Sequence, residues 1–276
     1  MIIAQISDTH IALDTPDADR RLSDFADTIA DINALDPAPD VIIHTGDVVH
    51  NGRKDEYAAA AAILAEARAP VYVMVGNKDD RPNLREAFSD CEYLSRRPGF
   101  VDYAIEDFPV RLVALDTLNP DSNRGDFCEQ RFRNLHDLIG SDSSKPVAVF
   151  LHHPPFEVTV GPHPLHFDVE ETMLRLRRAL QQSGRVVAIF SGHVHRFTAG
   201  RVGSIPASVM SAIATTLRRG EYPENVKTRP IYQLHRFDPE WDFMTESRVV
   251  GPQHDTGGQG HHDSGSVGQL AQDVRL

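Results

Sequence analysis

Residues 186–195 read Val186-Val187-Ala188-Ile189-Phe190-Ser191-Gly192-His193-Val194-His195. The apolar, β-branched-rich run has the signature of a buried strand, and a glycine then leads into two histidines. The same pattern recurs upstream. Residues 2–6 run into Ser7-Asp8-Thr9-His10, and 41–45 into Gly46-Asp47. Residues 71–75 run into Gly76-Asn77-Lys78-Asp79-Asp80, and 147–151 into His152-His153-Pro154-Pro155. Five apolar strands each deliver Asp, Asn or His just past their C-terminal ends. In open α/β sheets that edge is where ligands bind. A sixth apolar run lies at 110–115.

Helical patterns fill the gaps. Leu22, Phe25, Ile29, Ile32 and Leu35 recur every three or four residues, and 55–68 is alanine-rich. Phe132, Leu135, Leu138 and Ile139 predict a third helix, and Met173, Leu174, Leu176 and Leu180 a fourth. The alternation predicts an α/β fold with a layered sheet covered on its faces. After residue 200 the pattern changes. Extended pieces at 205–213, 230–237 and 242–250 predict further β structure closing a second sheet, and 215–230, which has no period, reads as an inserted loop or hairpin. The expected organisation is one domain over 1–250, with an oligomerisation or cap insertion within 201–235. A mobile tail is expected over 251–276, where glycine and histidine replace apolar residues at its start.

Composition bounds the function. The chain has 276 residues, 41% hydrophobic and 25% charged, which excludes wholesale disorder. Asp and Glu outnumber Lys and Arg by 40 to 28, a net charge of −12. So acidic a chain is a poor general binder of nucleic-acid polymers or anionic membranes, so a phosphate-bearing substrate must be drawn in locally by a metal or a few cations. Two cysteines, Cys91 and Cys128, exclude a disulfide scaffold and a cysteine-based zinc ribbon. No apolar run approaches about 18 residues, which argues against a membrane span. The strand-like N-terminus carries no basic region or cleavage site, so a cytoplasmic protein is expected.

Imidazole, carboxylate and amide oxygen suit Zn, Mn, Fe or Co. Asp8 and His10 are two apart on a segment read as extended, which puts both on one side, and His193 and His195 repeat that spacing. Glycines 46, 76 and 192 allow sharp turns beside the site. Asp8, His10, Asp47, Asn77, His152, His193 and His195 make seven candidate ligands, whereas a catalytic zinc typically keeps about three. Two metals sharing a bridging carboxylate would use all seven.

The order D-x-H, G-D, G-N-x-[DE], H-H-P-P and G-H-x-H, spread over residues 8 to 195, resembles that of the calcineurin-like metallophosphoesterases. The short N-terminus, the Gly-Asn-x-Asp-Asp form and the His-His-Pro-Pro box look most like the bacterial class III cyclic nucleotide phosphodiesterases and the related glycerophosphodiesterases. The resemblance implies a four-layer α/β/β/α sandwich with two divalent metal ions at the C-terminal ends of the strands. It implies that Asp8, His10 and His195 hold one metal, that Asn77, His152 and His193 hold the other, and that Asp47 bridges them. It selects His152 over His153 as the ligand. It also implies a homo-oligomer, because class III relatives assemble through an inserted β segment.

The implied activity is hydrolysis of small phosphodiesters, of cyclic nucleotide or glycerophosphodiester type, by metal-bound hydroxide. Asp47, Asn77, Lys78 and His153 are the candidate catalytic residues. Lys78 departs from the resemblance, standing where the family usually has a histidine that stabilises the transition state or protonates the leaving group. A lysine supplies a point charge to a phosphoryl oxygen but is poorly matched to acid catalysis near neutral pH. Two alternatives follow: a phosphomonoesterase or phospholipid-headgroup phosphodiesterase on the same site, decided by loops 11–21, 156–168 and 215–230, and a catalytically weak scaffold or binding protein, supported by Lys78 alone. His50 and Asn51 are candidate pocket residues. His44 reads as structural, and Arg218 and Arg219 as a solvated pair.

Overall fold

The structure, a computed structural model, describes residues 1–140, 144–160 and 163–251. The tail expected over 251–276 therefore lies outside the described residues apart from Gly251. Strand β1 (Ile2–Ile6) leads to α1 (Ala18–Asn33), β2 (Val41–His44), α2 (Lys54–Leu64), β3 (Val71–Val73) and α3 (Arg81–Ala87). Then come β4 (Tyr103–Ile105), β5 (Arg111–Leu115), α4 (Glu129–Ile139), β6 (Val147–Leu151) and a small ribbon of β7 (Thr159–Val160) and β8 (His163–Pro164). The chain continues with α5 (Glu170–Gln182), β9 (Val186–Ser191), β10 (Thr198–Val202), β11 (Ile205–Val209), α6 (Glu224–Lys227), β12 (Ile231–Asp238) and β13 (Asp242–Val249).

Two large sheets result. One has the order β13-β12-β1-β2-β3 and the other β10-β11-β9-β6-β5-β4. β1, β2 and β3 are parallel, as are β5, β6, β9 and β11, while β4, β10, β12 and β13 pair antiparallel at the margins. The β structure after residue 200 therefore does not close a second sheet by itself. β10 and β11 extend one sheet, and β12 and β13 extend the other. No hairpin occupies 215–230, which holds a 3-10 turn at Thr215–Leu217 and the four-residue α6.

The pleat fixes the layers, since successive side chains on a strand face opposite ways. In β5, Leu112 and Ala114 join the core that also contains the first sheet, α1 and α2, whereas Val113 and Leu115 join the core beneath α4 and α5. In β6, Ala148 and Phe150 face the first core, and Val147, Val149 and Leu151 the second. The order is helix, sheet, sheet, helix: the four-layer α/β/β/α sandwich. A polar staple crosses between the sheets. Gln5 Nε2 donates to Thr45 Oγ1 at 3.0 Å and to the Ser191 carbonyl at 3.1 Å, and His235 Nε2 donates to Gln5 Oε1 at 2.9 Å. The buried Gln5 amide thus has partners for both its nitrogen and its oxygen, which avoids the cost of an unmade hydrogen bond.

Candidate metal centre

The parallel strands of both sheets end on the same rim. Asp8 and His10 follow β1, Asp47 follows β2, Asn77 and Lys78 follow β3, His152 and His153 follow β6, and His193 and His195 follow β9. The backbone there is unusual. Among the described residues six non-glycine positions have positive φ, and five of them are Asp8, His10, Asp47, His193 and His195, with φ from 44° to 73°. That conformation is costly for a residue with a Cβ and clusters at functional sites. The expectation that Asp8 and His10, and His193 and His195, converge by alternating on extended segments is thus corrected. The strands stop at Ile6 and Ser191, and left-handed turns aim the side chains instead.

Glycine permits this in two ways. Gly46 itself has φ 97°. Gly76 and Gly192 have ordinary φ, but a Cβ on Gly76 would overlap Asp47 Oδ1, and one on Gly192 would sit 2.7 Å from Asp8 Oδ2. They leave room for the two carboxylates.

The side chains form two adjoining groups, Asp8/His10/Asp47/His195 and His152/His153/His193, each with donor atoms within 4.8 Å of one another. Asp47 Oδ2 lies 3.3 Å from His10 Nε2 and 3.4 Å from His152 Nε2, between the groups. His195 Nε2 is 3.3 Å from Asp8 Oδ1 and 3.0 Å from His10 Nε2. Asn77 Oδ1 lies 3.2 Å from His152 Nε2. Backbone carbonyls orient two rings: His152 Nδ1 donates to Thr45 O at 2.8 Å and His195 Nδ1 to Leu217 O at 2.9 Å, so each Nε2 points inward. His193 Nε2 and His153 Nε2 are each buried without a hydrogen-bond partner.

The carboxylates and imidazoles of the site shift one another's protonation. Burial alone would raise the Asp8 and Asp47 carboxyls, but neighbouring imidazoles outweigh it and hold both well below the usual carboxylate range. Burial pushes His10 down to about 3 and His193 well below its ordinary value, so both rings are neutral. His152 is buried too, yet Asp47 and Asp8 lift it to about 9. Asp8 likewise raises His195, so His152 and His195 hold protons against the carboxylates that a bound cation would displace. Two buried carboxylates, the neutral rings of His10 and His193 and two orphaned Nε2 atoms are a donor set that fits divalent ions.

Supporting residues surround the ligands, and of these Thr117 and Asn123 were not singled out in the sequence. Asp79 accepts hydrogen bonds from the backbone of Val48, Val49 and Gly76 and from the Tyr57 hydroxyl, locking the Asp47 loop to the Asn77 loop. Thr117, just past β5, bonds His153 Nδ1 at 2.8 Å. Asn123 Oδ1 accepts from Lys78 Nζ at 3.2 Å and Asn77 Nδ2 at 3.3 Å. The Lys78 backbone N–H donates to Asp47 Oδ1 at 2.7 Å, which ties that residue to the centre. His50 approaches His10, Nδ1 to Nδ1 3.4 Å. Asn51 instead bonds Glu56 at the start of α2 and is committed there. His44, read as structural, accepts the Gly46 N–H at Nδ1 and so carries its proton on Nε2 toward Thr9 Oγ1.

Residues 1–197 match the calcineurin-like phosphoesterase family. The chain belongs to that family. It is therefore an enzyme of the phosphoester-hydrolase class, in a family that uses divalent metals. A probable glycerophosphodiester phosphodiesterase, GpdQ, of Arcobacter nitrofigilis is 31% identical over 91% of this chain and 94% of its own. The glycerophosphodiester phosphodiesterase GpdQ of Enterobacter lignolyticus is 30% identical over 85% of this chain and 84% of its own. A probable cyclic nucleotide phosphodiesterase of Rhodopseudomonas palustris is 30% identical over 67% of this chain and 68% of its own. In fold the chain is similar to a dimetal phosphatase from Danio rerio, with a TM-score of 0.65, 13% identity and coverage of 91% of this chain and 99% of that one. Among the described residues no helix is long and apolar enough to cross a membrane.

Proposed function

We propose that this phosphoesterase hydrolyses small phosphodiesters of glycerophosphodiester or cyclic nucleotide type at a binuclear centre. The observation that carries the reading is Asp47, whose carboxylate lies within 3.4 Å of an imidazole from each group. Asp8, His10 and His195 would hold one divalent ion, Asn77, His152 and His193 the other, and Asp47 both. Bound ions supply Lewis acidity toward phosphoryl oxygen and a more acidic water. The names of the relatives support a diester substrate.

The chain's own groups do the rest. Asn77 and the carbonyl-anchored rings of His152 and His195 fix the donor geometry. Lys78 sits at the rim with its ammonium hydrogen-bonded to Asn123, where it offers a positive charge to the substrate's phosphoryl oxygens. His153 packs edge-on to His152, and its Nδ1 is committed to Thr117, so this ring braces the ligand pair. Homo-oligomerisation involving 201–235 belongs to the same reading, and a strictly monomeric mass at micromolar concentration would contradict it. The experiment is turnover of glycerophosphocholine, a 3′,5′-cyclic nucleotide and an aryl monoester by the metal-loaded enzyme. Diester turnover at least about tenfold above the monoester, lost on chelation, is expected; preference for the monoester overturns the substrate class.

A further inference from the structure

Around the segment that anchors His195 the structure holds a cavity of about 750 Å³, lined by Arg20, Thr215, Thr216, Arg218, Tyr222 and Lys227 among others. It concentrates positive charge in a chain of net charge −12. Two of its cations have acidic neighbours: Arg20 pairs with Asp24 at 2.7 Å, and Lys227 approaches Glu224 at 3.6 Å. Arg218 pairs with no carboxylate among the described residues. Its Nη2 donates to the carbonyls of Val226 and Lys227, and its guanidinium lies over the Tyr222 ring at 4.5 Å. Its Nε and Nη1 are buried without any hydrogen-bond partner. Sequence reading placed Arg218 in solvent. In the fold it is a half-buried, under-satisfied cation on the cavity wall.

That state is unfavourable without a ligand. Buried donors without partners forfeit their hydration, and a guanidinium is shaped to grip oxyanions. Burial lowers the Arg218 pKa, Tyr222 and Asp24 only partly offset it, and the charge of Arg20 adds to the lowering. An oxyanion between the two arginines would relieve both. Glu221 also lines the cavity, but no ion pair joins it to Arg218 among the described residues. The wall is continuous with the candidate metal centre: the Leu217 carbonyl accepts the His195 Nδ1 proton, and the Arg219 N–H donates to the His195 carbonyl at 3.0 Å.

We propose that this cavity is an anion site for a carboxylate or phosphate-monoester group, held chiefly by Arg218 with Lys227 and Arg20, and joined to His195 through Leu217. It is separate from the candidate metal ligands and does not depend on which phosphoester is hydrolysed. The anion is either a charged arm of the substrate or a free small molecule.

The test is equilibrium dialysis of inorganic phosphate against the full-length, metal-loaded protein, repeated after chelation. Native protein is expected to bind one phosphate per chain that survives chelation, with a Kd near or below about 1 mM. Arg218→Gln should abolish that class. Lys227→Gln should weaken it about fivefold to tenfold, and because the Lys227 side chain is 63% exposed, this variant keeps the fold. A second arm compares a neutral diester with one bearing a carboxylate. A KM rise in Lys227→Gln confined to the charged diester assigns the cavity to the substrate's own arm, and unchanged KM for both, with phosphate binding weakened, assigns it to a free anion. Phosphate binding wholly lost on chelation, or unaltered in Arg218→Gln and Lys227→Gln, overturns the proposal.

Discussion

At the scale of single residues, the position most open to test is Lys78. Its backbone is pinned to Asp47, and its ammonium rests on Asn123 at the rim. An ammonium there stabilises charge on the phosphoryl group as a point charge, whereas an imidazole is the side chain suited to proton transfer near neutral pH. Alkoxide leaving groups need that proton, whereas activated aryl leaving groups do not. Lys78→His should therefore raise kcat for alkyl diesters about tenfold or more while changing aryl diesters little, a part of the roughly 10²–10⁴-fold that general acid catalysis supplies. A slowing of alkyl diesters, with loss of a basic limb in the pH profile, would show that Lys78 already acts as the acid. Asp79 gives a second test. It accepts three backbone N–H groups and the Tyr57 hydroxyl, and burial, reinforced by Asp47, lifts it to about 7. Asp79→Asn sets an amide donor against those donors, which should cost about 1–3 kcal/mol of stability in urea unfolding. An unchanged midpoint would contradict the locking role. The motif residues were legible because their types suit metals. Asn123 and Thr117 were not, since a lone Asn or Thr in a loop carries no pattern until the fold brings it alongside Lys78 or His153.

Among elements, the runs of β-branched residues at 2–6, 111–115, 147–151 and 186–191 were readable because both faces of those strands are buried. The marginal strands β12 and β13 were also read, at 230–237 and 242–250, whereas β4 and β10 were not. β4 is three residues long, and β10 reads Thr198-Ala199-Gly200-Arg201-Val202, without an apolar run. The division of the parallel strands between two sheets was also hidden, because a strand of either sheet has the same doubly buried composition. Nor does the sequence reveal left-handed Asp and His residues, since the surrounding structure imposes that conformation. The strand-to-loop junctions make a sharp prediction. Gly192→Ala leaves every candidate ligand residue unchanged but puts a methyl into overlap with Ser7 Oγ and 2.7 Å from Asp8 Oδ2, so the Ser7-Asp8 turn must shift. Activity should fall by about tenfold or more and metal affinity should drop, while circular dichroism stays native. Full activity in Gly192→Ala would show that the Asp8 position is not tightly set.

Across the whole molecule, buried histidines outside the ligand set tie stability to pH. Burial depresses His44 to about 4 and His235 to about 3. The unfolded chain takes up these protons near the ordinary histidine value of about 6.5, whereas the folded chain takes them up only at much lower pH. The unfolded state thus binds more protons, so stability rises with pH across that window. The contribution is complete above about pH 6.5 and is lost as pH falls toward 4, at about 1.4 kcal/mol per unit for each ring. Urea unfolding between pH 7 and 5 should show this slope, and His235→Gln should reduce it by about one proton. An identical slope in the variant would place the linkage elsewhere.

The central claim is that seven side chains from two sheets hold two ions across Asp47, and metal content by mass spectrometry after reconstitution with Mn, Co or Zn tests it most directly. Native protein should retain close to two ions per chain, Asn77→Ala close to one, and Asp47→Ala close to none. A native content of one, or equal content in the two variants, would contradict a bridged pair.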